Sequence, residues 1–202
     1  FGTAFSMVIA EEIAERNDSC GENLTWQIVD TVKLEIVGTG DMTDYNETTD
    51  QPRPWESHKY KITQVAISDG VTTIGQRAFE GHDKLYKIEL PNSIVVIDDY
   101  AFHYCESLRN IVIPADTKVI GRAAFNSCFE LDTVSLPDGL QMICDGAFRW
   151  CPDLEEIYIP QSVEYIGENV FEYCGDNFTI ICSEGSYADK YAQEYGYNTR
   201  YE

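Results

Sequence analysis

Cys105, Cys128, Cys151 and Cys174 return at one spacing, each three residues after a phenylalanine, in the strings YAFHYC, AAFNSC, GAFRWC and NVFEYC. His82 holds the same slot one interval earlier, and His103 stands two residues before Cys105. Thiols near imidazoles are the parts of a cysteine nucleophile or of a zinc site. A nucleophilic thiolate also needs an electropositive setting, and this chain has 14 basic against 35 acidic residues. The sequence contains no CxxC, HExxH or GxSxG motif, no phosphate-binding glycine loop and no EF-hand spacing, so no catalytic residue, metal ligand or cofactor is expected. Recurrence at a fixed interval instead suggests core filling: a ladder of buried thiols. Successive rungs of a stack lie about 4.8 Å apart with parallel side chains, whereas a disulfide needs Cβ atoms turned toward each other at about 3.8 Å. Seven cysteines, with Cys20, Cys144 and Cys182 outside the ladder, leave at least one unpaired within the chain.

The elements that position these residues emerge on aligning the Ala-Phe pairs. Five windows of 23 residues begin at Ile62, Leu85, Leu108, Leu131 and Leu154, without insertion or deletion. They read LxxIxIPxxVxxIGxxAFxxC. Apolar residues at positions 4 (Val65, Ile88, Ile111, Val134, Ile157) and 6 (Ile67, Leu90, Ile113, Leu136, Ile159) alternate as a short strand does. Pro91, Pro114, Pro137 and Pro160 follow and end it. Position 13 is always isoleucine, Gly75, Gly121 and Gly167 mark a turn, and Phe79, Phe102, Phe125, Phe148 and Phe171 fill the space between coils. Ser68 departs from proline, Asp98 and Cys144 from glycine, and Thr117 from an apolar residue. One such unit cannot offset its own ordering entropy of about 1–2 kcal/mol per residue. Stacked units share their faces, so the array is expected to form one solenoid with Ile88, Ile111, Val134 and Ile157 in a single parallel ladder. Its first repeat faces an end, which leaves Phe79 less enclosed than Phe125.

The five-fold pattern resembles the leucine-rich repeats of the BspA-like type, found in surface and secreted proteins of host-associated bacteria and some protozoan parasites. The resemblance implies a leucine-rich-repeat solenoid of short parallel strands joined by turns or short helical segments, with a β-rich N-terminal cap and a helical C-terminal cap. Residues 20–61 supply the first cap: Leu24, Trp26 and Ile28 alternate, as do Leu34 and Ile36, around a turn at Asp30-Thr31. Pro54-Trp55 closes this segment, and the acidic stretch from Asp41 to Arg53 reads as a mobile loop. The repeats occupy 62–176 and the second cap 177–202, where Ser186 and Gly196 bracket a helix. Tyr187, Tyr191 and Tyr195 share one face of that helix, read as its packing face rather than a binding stripe. In residues 1–19, Phe5, Ile9 and Ile13 mark an amphipathic helix that packs on the cap or belongs to an upstream module.

A net charge of −21 repels phosphate backbones and anionic lipid, which argues against a nucleic-acid partner. The sequence has no stretch of 18 apolar residues, so no membrane insertion is expected of it, and it reads as a monomeric module of a longer chain. Asn17, Asn23, Asn46 and Asn177 begin N-x-S/T sequons, which matter only in a eukaryotic secretory pathway. The resemblance implies an extracellular or cell-surface location and an adhesive role toward a protein or glycan. Outward positions 3 and 5 of the strands then become the candidate contact residues: Lys87, Glu89, Asn110, Val112, Thr133, Ser135, Glu156 and Tyr158. A second candidate surface is position 20, with Tyr104, Trp150 and Tyr173, flanked by His103 and Arg149, although the favoured reading of these residues is that they only cover the convex turns. The rival reading is a structural spacer between neighbouring modules.

Overall fold

The computed structural model describes residues 19–45 and 52–202. The helix expected around Phe5, Ile9 and Ile13 lies outside them. Strand β1 (Ser19–Gly21) runs antiparallel to β2 (Leu24–Val29), which forms a hairpin with β3 (Lys33–Gly38). Asp30 and Thr31 turn this hairpin at φ 51° and 63°, the left-handed conformation whose twist suits tight hairpins. β3 then pairs in parallel with β5 (Gln64–Ile67), so the hairpin covers the first coil, as its alternating residues predict.

Two strands recur in each coil. The second is the more continuous: β6 (Val71–Ile74), β8 (Val96–Ile97), β10 (Val119–Ile120), β12 (Met142–Ile143) and β14 (Tyr165–Ile166) form one parallel ladder, extended by β4 (Gly40–Asp41). The isoleucines at position 13 therefore stand in adjacent rungs. The first strand behaves differently from expectation. β7 (Lys87–Glu89), β9 (Asn110–Val112), β11 (Thr133–Ser135) and β13 (Glu156–Tyr158) do not make one ladder. Ile111 pairs with Val134, but Ile88 pairs only with Val65, and Ile157 only with Ile180 of β15 (Thr179–Cys182). The position-7 prolines explain why these strands are short, since each removes the donor of the last rung. Ser68 shows what is lost: its N–H reaches the Ile36 carbonyl at 2.9 Å, and β5 is a residue longer than its successors.

A third set of axial hydrogen bonds compensates for the broken strand ladder. In the turn after position 13, the amides of positions 16, 18 and 20 all donate to the next repeat. Arg77 reaches the carbonyl of Asp99 (3.0 Å), Phe79 that of Ala101 (2.8 Å) and Gly81 that of His103 (2.6 Å). The same three rows continue to Glu168, Val170 and Glu172. At the first coil, the carbonyls of Gln76, Ala78 and Glu80 accept from the Tyr45 amide (2.9 Å), Trp55 Nε1 (3.0 Å) and Arg53 Nη1 (2.8 Å).

The core lies between these ladders. The five phenylalanine rings are stacked with centroids 5.1 to 6.0 Å apart and planes within 11°. Trp55 and Phe178 extend this column at its two ends, at 5.6 and 4.9 Å. Phe79 is therefore fully buried and not end-facing. The part of the expected mobile loop that is described is also packed: Met42 and Tyr45 are buried, and Arg53 bonds the carbonyls of Arg77 and Glu80.

The departures from the repeat pattern have local solutions. Thr117 is buried, and its hydroxyl donates to the Ile94 carbonyl at 2.9 Å, so the polar atom is satisfied. A Cβ on Gly121 would meet the Asp98 carbonyl carbon at 2.6 Å, which explains glycine there. Helix α1 (Tyr187–Tyr195) starts where Ser186 Oγ accepts from the Asp189 amide and stops at Gly196, φ 77°. Of its three tyrosines only Tyr191 is buried; Tyr187 and Tyr195 are exposed. Strand β16 (Asn198–Tyr201) pairs with β15 and ends the chain's last sheet.

Candidate functional site

The cysteine column is a structural feature. Cys105, Cys128, Cys151 and Cys174 each donate their thiol hydrogen to the carbonyl of the phenylalanine 26 residues earlier, at 3.2 to 3.3 Å. All seven cysteines are free thiols. Burial pushes each of the four well above an ordinary thiol pKa, Cys174 to about 12, which opposes thiolate formation. The imidazole beside this column is engaged elsewhere: His103 Nδ1 lies 3.1 Å from Glu80 Oε1. Burial opposes ionisation of Glu80, but hydrogen bonds from His103 and Arg77 hold its pKa down to about 2. A cysteine-histidine pair is thus not formed. Among the described residues no group of three or more His, Cys, Asp or Glu side chains is placed to hold a metal ion.

The strand residues chosen as contact candidates face solvent. Lys87, Glu89, Asn110, Val112, Thr133, Ser135 and Glu156 are exposed, and Tyr158 is half-buried. Their neighbours at position 4 and 6 lie in the core, except Ile88 and Leu90, which are only partly buried. Two ion pairs mark this surface. Lys87 and Glu89 meet at 2.7 Å within β7, and Arg200 of β16 clasps Glu156 with two bonds of 3.0 and 3.2 Å. Being exposed, these pairs contribute about 0–1 kcal/mol each to stability.

The second candidate surface joins the first at one place. Position 20 has positive φ in every repeat: Gly81, Tyr104, Ser127, Trp150 and Tyr173, all between 58° and 67°. Glycine adopts that conformation without strain and bulky residues do not. Trp150 and Tyr173 nevertheless hold it, stacked at 4.1 Å with planes 24° apart, and 44% and 51% exposed. Tyr104 instead meets His103 at a tilt of 36°, and Arg149 pairs with Glu172 at 2.7 Å while lying 5.6 Å from the Tyr173 ring centre. Trp150, Tyr173 and Glu156 line one open groove of about 970 Å³, together with Phe129, Glu155 and Asp176. The last three were not among the sequence candidates. Phe129 had a signal: it occupies position 22, where the other repeats have Asp83, Glu106, Pro152 and Gly175.

The sequence profile described as a BspA-type leucine-rich repeat region matches residues 57–177, in six copies. The chain belongs to the BspA-type leucine-rich repeat family. Solved structures similar to this BspA-type array include a leucine-rich cell surface protein from Faecalibacterium prausnitzii, at 24% identity and TM-score 0.53 over 81% of this chain and 54% of that one. The leucine-rich repeat protein of T. pallidum matches at 22% identity and TM-score 0.54, over 91% of this chain and 98% of its own. The pneumococcal vaccine antigen PcpA matches at 19% and 0.58, over 83% of this chain and 50% of that one. The array thus spans about half the length of the Faecalibacterium and pneumococcal chains. No curated protein matches it in sequence. Among the described residues no helix is long and apolar enough to cross a membrane.

Proposed function

We propose that this BspA-type array is a non-catalytic interaction module, located at the cell surface or outside the cell, that offers its strand face to a protein or glycan partner. One observation carries the reading: seven of the eight outward candidates from Lys87 to Tyr158 are exposed on strands whose alternate residues anchor them to a continuous buried core. Such a surface loses little conformational entropy on binding, because the backbone that presents it is already ordered. The surface location rests on the family and on the Faecalibacterium relative, whose name describes a cell surface protein.

The test is made in the intact parent protein. Replacing Asn110, Ser135, Glu156 and Tyr158 together by alanine leaves melting nearly unchanged, within about 0.5 kcal/mol at each of the three exposed sites and somewhat more at half-buried Tyr158, and abolishes attachment to cells or matrix. A spacer gives the opposite pattern, insensitive to these changes but sensitive to deletion of one 23-residue unit, which shortens the rod by about 4.8 Å. Normal attachment by the four-residue variant overturns the interaction reading.

A further inference from the structure

The groove beside β13 has a lining that the fold itself does not require. The turn at position 20 is also formed by Gly81 and Ser127, so the backbone does not call for an aromatic ring there. Trp150 and Tyr173 accept an unfavourable backbone conformation and still leave about half their surface in water. Phe129, 37% exposed, adds a third ring to the same groove. Trp and Tyr are the residue types that dominate binding energy in protein interfaces.

The same lining is acidic. Glu155, Glu156 and Asp176 belong to it, and among the described residues no lysine or arginine does. From outside the lining, Arg200 neutralises Glu156, and Arg149, paired with Glu172, lies 5.6 Å from the Tyr173 ring centre, which leaves Trp150 as the ring of the stacked pair without a cation of its own among the described residues. Glu155 and Asp176 have no cation paired with them among the described residues. Carboxylates and the faces of aromatic rings present the same sign of potential, and both attract a cation. The chain as a whole carries a net charge of −21, which steers positively charged partners toward it and repels anionic ones. A neutral sugar could stack on an exposed ring, but it would leave the carboxylates without counter-charge.

We infer that this groove docks a basic peptide segment of the partner, seating a lysine or arginine side chain against Trp150 and Tyr173 with Glu155 and Asp176 as its counter-ions. The inference rests on the interaction-module reading and deepens it, since Glu156 belongs both to the strand face and to the groove. Its volume, about 970 Å³, is at the upper end of the usual range for ligand sites, roughly 300–1,000 Å³.

The experiment uses fluorescein-labelled hexalysine as the probe, with binding followed by anisotropy at low and physiological salt. Saturable binding is expected. The pair Trp150→Ala and Tyr173→Ala, and separately the pair Glu155→Gln and Asp176→Asn, each weaken it at least tenfold, with thermal melting confirming that both variants fold. A control pair with the same change of charge at exposed sites elsewhere, Glu22→Gln and Asp116→Asn, changes it less than twofold. Equal weakening by the control pair would show attraction by overall charge alone and overturn the proposal. So would hexalysine binding that ignores both groove variants, or groove-dependent binding of a neutral oligosaccharide such as laminarihexaose in its place. If the groove fails these tests while the strand-face variant still abolishes attachment, the docking site falls and the interaction module stands.

Discussion

Trp55 lies parallel to Phe79, with ring centroids 5.6 Å apart and planes inclined by 15°, and its Nε1 donates to the carbonyl of Ala78 at 3.0 Å. A residue outside the five repeat windows thus begins the aromatic column of the core. Trp55→Ala is expected to cost about 3–5 kcal/mol, the loss typical of a large buried ring. Phe79→Ala should cost as much as Phe125→Ala, because Trp55 encloses it. Chemical denaturation of the three variants checks this; a Phe79 variant markedly more stable than the Phe125 variant would show that Trp55 does not enclose it.

His82 makes the fold sensitive to acid. It is fully buried, neither ring nitrogen has a well-formed hydrogen bond among the described residues, and burial, aided by the nearby Arg53 charge, outweighs the Phe79 backbone and lowers its pKa from 6.5 to about 4. Above pH 6.5 both folded and unfolded forms are neutral and nothing is gained or lost. Between pH 6.5 and 4 only the unfolded form takes up the proton, so stability falls, by about 3 kcal/mol in all. Glu80, held down to about 2, adds a second loss as pH drops from its ordinary 4.5 toward 2. Urea melts across this range, compared with His82→Cys, should show the upper part of the slope vanish in the variant while the lower part persists.

Three of the four thiols in the column should be silent toward reagents; the fourth, Cys174, is only partly buried. Cys105, Cys128 and Cys151 are completely buried and hydrogen-bonded, whereas Cys144 is half-buried and outside the column. A disulfide reagent at pH 8 is expected to label Cys144 first and to reach the other three only at the rate of unfolding. Mass spectrometry of the early product checks the order, and early modification of Cys128 would contradict it.

Ser68 offers a test of the proline rule. Its amide bonds the Ile36 carbonyl at 2.9 Å, and its hydroxyl lies within 3.4 Å of the Gly38 amide and carbonyl. Ser68→Pro, which restores the residue found in the other repeats, should therefore destabilise the protein by about 2 kcal/mol, as lost hydrogen bonds of about 0.5–1.5 kcal/mol each imply. Ser68→Ala removes only the hydroxyl contacts and should cost less. A stabilising proline would show that the junction between cap and array is not held by this rung.

Much of the coil was legible because the 23-residue interval repeats residue types with their environment. Ile97, Ile120 and Ile143 fall in adjacent rungs, and the phenylalanines in one column, because side-chain volume and burial are encoded locally. Trp55 escaped that reading: it stands 24 residues before Phe79 and is a different residue type, so no register connects them. The interruption between Ile88 and Ile111 was equally hidden, since strand pairing is made by the backbone. Position 20 shows a third limit. Its positive φ recurs in all five repeats, but glycine marks it only at Gly81, so residue type does not disclose the conformation. The groove needed coordinates as well, because Phe129, Trp150 and Asp176 meet only when coils three, four and five are stacked.

The three rows of turn hydrogen bonds all run in one sense, each amide pointing toward the C-terminal end and each carbonyl toward the N-terminal end. Their peptide dipoles therefore add along the axis, as they do in a helix, and give the solenoid an electrical direction. The N-terminal cap meets the negative pole with three donors, the Tyr45 amide, the Trp55 indole and the Arg53 guanidinium. The two ends of the rod are consequently not interchangeable. A cap transplanted from one end to the other would set like poles together, and a chain lengthened by further coils must insert them between Arg53 and the C-terminal helix to keep its polarity matched.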